Sequence, residues 1–136
     1  MDDLTHSLIF NDSENISIPQ EVIDDIASIS SLNKILSVYS SNARALYFFP
    51  VSSRVYKVCI HIFPLTPEIV AKIMTKISAI ASKVVYSTGL CLVENRCLWE
   101  GFIQERDLIE DIDEIQSTMS AMSEIEEIEV KLVHEH

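Results

Sequence analysis

From residue 55 onward the apolar residues switch period from two to about 3.6 and back, and then do so again. In Val55-Tyr56-Lys57-Val58-Cys59-Ile60-His61-Ile62-Phe63, the side chains of Tyr56, Val58, Ile60 and Ile62 share one face. Lys57, Cys59 and His61 share the other, as in a strand. Ile69, Val70, Ile73, Ile77 and Ile80 then recur at helical spacing, with Lys72 and Lys76 on the polar side. Residues 83–93 and 96–104 read as a hairpin around Glu94-Asn95. A second helix carries Leu108, Ile109, Ile112, Ile115, Met119 and Met122 inward, and Glu110, Asp111, Asp113 and Glu114 outward. Ile128, Val130 and Leu132 alternate with Glu127, Glu129 and Lys131 in a closing strand. This order predicts an α+β domain: an antiparallel sheet of four strands with both helices on one face, their charges (lysines on one, acids on the other) complementary.

The first third reads as an extension with the order β-α-β-β, residues 1–54. A short apolar patch, Leu8-Ile9-Phe10, precedes the polar loop Asn11-Asp12-Ser13-Glu14-Asn15. After Pro19, Val22, Ile23, Ile26 and Ile29 follow a helical period. Lys34 to Tyr39 and Ala45 to Phe49 then form two strands around Ser40-Ser41-Asn42, the second ending at Pro50. Ala45-Leu46-Tyr47-Phe48-Phe49 has no polar alternation, so both of its faces are expected to be covered, by the N-terminal helix or by a second subunit.

The best-defined local signal is Pro64-Leu65-Thr66-Pro67-Glu68. Thr66 can cap a helix, Pro67 then falls at the first helical position, and Glu68 puts negative charge where the helix dipole favours it. With that loop in place, the order from residue 55 to 134 matches the ferredoxin-like, split β-α-β pattern. It resembles the ACT and RAM type of small regulatory domain. In those families an Asp-x-Pro-Gly loop after the first strand helps to bind an amino acid at the following helix start. Leu65-Thr66-Pro67-Glu68 occupies that place here; the proline matches, while the preceding acid and the following glycine do not. The resemblance implies a ligand site at Leu65, Thr66, Pro67 and Glu68. Ile18-Pro19-Gln20-Glu21-Val22-Ile23 echoes Leu65-Thr66-Pro67-Glu68-Ile69-Val70, so the first third is either a truncated copy of the same unit or a chance likeness between amphipathic helices.

At 136 residues, 48% of them apolar, the chain suits one domain, 1–136, with a sizeable core. The net charge is −11, and residues 100–136 carry twelve acids against Arg106 and Lys131. Such a surface repels nucleic acid and anionic membranes, so neither is an expected partner. No apolar run approaches the roughly 20 residues of a membrane span, and Asp2-Asp3 replaces the positive charge that opens a secretory leader. A cytoplasmic protein is expected. Cys59, Cys91 and Cys97 are an odd number without a CxxC pair, and are expected as small buried hydrophobes, not as a disulfide framework.

Other constellations favour ordinary structural readings. Cys59 and His61 could ligate a metal only if Cys91, Cys97 or His6 joined them, and the spacing does not demand it. A Cys–His nucleophile would need a third orienting group. Ser52-Ser53 has no elbow motif, two glycines cannot build a phosphate loop, and the acids of the last helix lack calcium-loop spacing. Trp99 and Phe102 are expected in the core. No cofactor, metal or catalytic residue is assigned, and the chain is not expected to be an enzyme. The first expectation is a small-molecule-sensing regulatory domain, amino-acid binding, acting as a homo-oligomer such as a homodimer. The alternative is a ligand-free protein–protein interaction module using the sheet face or the acidic C-terminal region.

Overall fold

The computed structural model describes residue 7, residues 9–30 and residues 34–136, with Asn15, Ile29 and Ser30 in backbone only. His6, Leu8 and the Ile29 side chain, which entered the sequence reading, lie outside it. Among the described residues the chain is a mixed α+β structure of three helices and two antiparallel sheets. The helices are α1 (Gln20–Ser30), α2 (Pro67–Ile80) and α3 (Ile112–Ser120). The strands are β1 (Lys34–Ser40), β2 (Ala45–Val51), β3 (Val55–Ile62), β4 (Tyr86–Val93), β5 (Arg96–Gln104) and β6 (Ile125–Leu132).

The larger sheet runs β4-β5-β3-β6, every neighbour antiparallel. Its central strand β3 follows the period of two: Val58, Ile60 and Ile62 are buried, with Ile60 fully enclosed. These side chains meet Ile73, Ile77 and Ile80 of α2, Ile115 and Met119 of α3, and Ile103 of β5 in one cluster, so both helices cover the same face. Burying each such side chain contributes about 1.5–3 kcal/mol, which makes this cluster the main source of stability. Thr66 and Asp111 start the two helices: Thr66 Oγ1 accepts from Ile69 N at 3.3 Å and Asp111 Oδ1 accepts from Glu114 N at 2.9 Å.

The other sheet face is covered by an element the sequence reading did not choose. The β1–β2 hairpin lies on it, burying Leu36, Val38 and Val51 against Val55 and Phe102. Tyr47, Phe49 and Tyr86 stack at its rim, with ring centroids 5.0 to 6.3 Å apart. Gln104, the buried polar side chain at the crossing, accepts from Ser52 N at 2.8 Å and Ser53 N at 3.3 Å and so ties the hairpin's exit to β5. Arg54 donates to both Glu105 carboxylate oxygens, at 3.0 and 2.8 Å, on the same side.

Several expectations need correction. The strand at 45–49 is not covered on both faces. Tyr47, Phe49 and Val51 turn towards the sheet, while Leu46 remains 47% exposed, and α1 touches the hairpin without sealing it. β2 also continues through Pro50, opposite Ile35 in a sheet of only two strands. There, a missing N–H can face away from the ladder. Leu108 and Ile109 precede α3, because Asp111 caps the helix and sets its first residue at Ile112. Ile9 and Phe10 are irregular, so they supply no first strand. Among the described residues no ion pair joins Lys72 or Lys76 to the acids before and within α3; the recorded ion pairs lie elsewhere.

The cysteines differ most. Cys91 and Cys97 are bonded to one another across the β4–β5 hairpin, with Cα atoms 4.0 Å apart, and only Cys59 is free. A regular two-residue turn at Glu94-Asn95 would place Cys91 opposite Leu98. A register shift between Cys91 and Val93 inserts Leu92 as an extra residue and brings Cys91 opposite Cys97.

Candidate functional site

The loop from β3 to α2 is pinned at three points. Phe63 N donates to Glu124 O at 2.8 Å, and Leu65 N donates to Asn95 O at 2.9 Å. The Arg96 guanidinium lies 4.5 Å from the Phe63 ring centroid and bonds Glu126 at 2.8 Å. Asn95, at the hairpin tip, has φ of 57°, a left-handed conformation that asparagine tolerates. The turn between β4 and β5 is thereby held against the start of α2. The Phe63–Pro64 peptide bond is cis.

Between α2 and this hairpin lies a cleft of about 290 Å³. Ile62, Ile73 and Trp99 line its depth, Leu65, Val70 and Met74 its helix side, and Leu90 with the Cys91–Cys97 bridge its strand side. Its walls carry no charged side chain. Val70 and Met74 are 40% and 41% exposed, so the helix leaves apolar surface uncovered at the mouth. The volume falls just under the usual range for small-molecule sites, about 300–1,000 Å³, and suits a small ligand.

Of the four residues expected to bind a ligand, Leu65 lines this cleft. The Thr66 hydroxyl is taken up as the helix cap. Pro67 and Glu68 are exposed on the first turn of α2. Trp99, Met74 and the disulfide were missed as site residues. Trp99 carries one legible signal: Gly101, two residues on, lies under its ring.

Two other hollows are less suited to hold a ligand. A space of about 630 Å³ lies between β1 and residues 133–136, but the Lys34–Glu135 ion pair at 2.7 Å already occupies charged groups of its wall. A space of about 210 Å³ lies between Tyr39–Asn42 and the hairpin-side sheet face. At its floor Lys57 Nζ is 3.0 Å from Glu100 Oε2, and Cys59 Sγ donates to the same oxygen at 3.7 Å. Donation from Lys57 Nζ to Glu100 raises the Lys57 pKa, while burial and then the Glu100 charge push the Cys59 thiol up. Cys59 is therefore held protonated, unlike a nucleophile or a metal ligand.

Cys59 and His61 point to the hairpin side of the sheet, whereas Cys91 and Cys97 line the cleft on the helix side. The four cannot converge, and among the described residues no group of three His, Cys, Asp or Glu side chains could hold a metal ion. Among the described residues no helix is long and apolar enough to cross a membrane.

No known family model and no curated protein matches the chain. What the cleft can do follows from its own residues: it can enclose a small aliphatic group beside the positive end of a helix.

Proposed function

We propose that the chain is a small-molecule-sensing regulatory domain that binds an aliphatic amino acid in the cleft between α2 and the β4–β5 hairpin. The observation that carries this reading is the uncovered apolar lining of the cleft, Val70 and Met74 above Ile73 and Trp99, next to the capped start of α2. The side chain of the ligand would occupy the cleft. Its carboxylate would lie towards the first turn of α2, where the helix dipole favours negative charge. In this reading residues 55–134 are a ferredoxin-like split β-α-β unit of the ACT and RAM kind, and residues 1–54 an extension upon it. The strand order β4-β5-β3-β6 and the shared core of α2 and α3 support that assignment. No reaction is assigned.

The domain acts in this reading as a homo-oligomer in the cytoplasm, where the Cys91–Cys97 bridge would be a reversible one. Support for self-association comes from the outer face of the β1–β2 hairpin. Tyr39 and Leu46, paired across the hairpin, are 64% and 47% exposed there. Exposed apolar side chains on this face are the kind of surface that a second copy of the chain can cover. Light scattering should give roughly twice 15.4 kDa, and Leu46→Glu should return the monomer mass.

The ligand test is a melting-temperature series across the common amino acids. A ligand at a hundred times its Kd adds about 2.7 kcal/mol, several degrees for a domain of this size. Leucine, isoleucine, valine or methionine should raise the melting temperature, and Met74→Glu should remove the effect. A flat response across the whole panel would contradict the reading and favour the ligand-free interaction module, which the exposed Tyr39 and Leu46 would then serve.

A further inference from the structure

We propose that the Cys91–Cys97 pair is a reversible thiol-exchange site that accepts a small-molecule thiol at Cys91. The two sulfurs are unequal. Cys97 is 5% exposed, enclosed beside Ile62 and Ile73, whereas Cys91 lies in an exposed stretch of β4. β4 is the terminal strand of its sheet, so among the described residues no further strand shields it. Attack requires access to the sulfur, and access singles out Cys91.

The exchange also leaves the scaffold in place. The bond spans a sequence separation of six, across a turn that the β4–β5 ladder also closes. Leu65 N to Asn95 O continues to hold the tip against the α2 loop. Cys59, on the opposite sheet face and held protonated, is outside the exchange.

The step is thiol–disulfide exchange. A thiolate RS⁻ attacks Cys91 Sγ, the new bond joins the two sulfurs, and the Cys91–Cys97 bond breaks. Cys97 leaves as a thiolate and takes a proton from water. A second RS⁻ attacks the outer sulfur of the adduct, releasing oxidised RSSR and leaving Cys91 as a thiolate that takes a proton from water. The reverse sequence, with RSSR as oxidant, restores the bridge. An adduct on Cys91 would stand in the strand-side wall of the cleft, facing Val70 and Met74 of α2. That consequence for ligand binding rests on the amino-acid reading; the exchange itself does not.

The test uses the full chain carrying Cys59→Ala, equilibrated in glutathione buffers of increasing reduced fraction and trapped by acid and alkylation. Peptide mass mapping should find the glutathione adduct on Cys91 and none on Cys97, with both thiols alkylated at the reducing end. A bridge that stays closed at every ratio, or an adduct on Cys97, would overturn the proposal. If exchange proceeds at Cys91 while no amino acid shifts the melting temperature of either redox form, the ligand reading fails and the exchange site stands.

Discussion

Gly101 and Trp99 show how one residue can fix another. A Cβ at Gly101 would lie 2.8 Å from two carbons of the Trp99 ring and overlap a third, so the indole rests directly on the backbone of its own strand. Gly101→Ala should therefore destabilise the fold by about 1–3 kcal/mol, as overpacking does, measured by urea unfolding. Gly89→Ala is the control, because its Cβ would meet Leu98 O at 3.6 Å and Trp99 at 4.0 Å, ordinary contacts. A glycine within a strand is compatible with a bulge or with a close backbone approach, and the sequence does not decide between them or name the ring. Cys59 gives the pH dependence at this scale. Its pKa is raised in the folded chain, so its contribution to stability is complete below the ordinary thiol range of about 8.5. The contribution is lost as pH rises through the raised value, because the unfolded chain ionises first. Alkylation of Cys59 should accordingly lag a free thiol at pH 8.5, and Glu100→Gln should speed it.

The elements divide into those whose signal is local and those whose placement depends on the rest of the chain. The start of α2 belongs to the first kind: Thr66, Pro67 and Glu68 each act within one turn, and the helix begins where they predict. Thr66→Ala should cost about 1 kcal/mol, read as a fall in the urea midpoint with an unchanged slope. An unchanged midpoint would mean that the loop, held by Asn95, does not need the cap. The β4–β5 hairpin belongs to the second kind. Its turn at Glu94-Asn95 was legible, but the inserted Leu92 was not, and that one residue decides whether Cys91 faces Leu98 or Cys97. The disulfide escaped sequence reasoning because register there is set by a bulge that composition does not announce. Leu108 and Ile109 follow the same logic, since they fit a helical period yet lie before the Asp111 cap, which overrides it.

For the whole molecule, the period changes from residue 55 were enough to place both helices over the sheet face that carries Val58, Ile60 and Ile62. They could not say what lies on the opposite face. The β1–β2 hairpin does so through Val55 and Phe102, residues whose strand positions read equally well as open surface. With that face occupied, the uncovered apolar surface beside a helix start is the cleft at α2, and it holds the single tryptophan. The central claim is that this cleft receives the ligand, and Trp99 reports on it directly. Titrating the oxidised chain with the amino acid that most raises its melting temperature should shift and saturate Trp99 emission at the same concentrations, with both responses absent in Met74→Glu. Stabilisation that leaves Trp99 emission unchanged, or that survives in Met74→Glu, would place the ligand elsewhere and contradict the account.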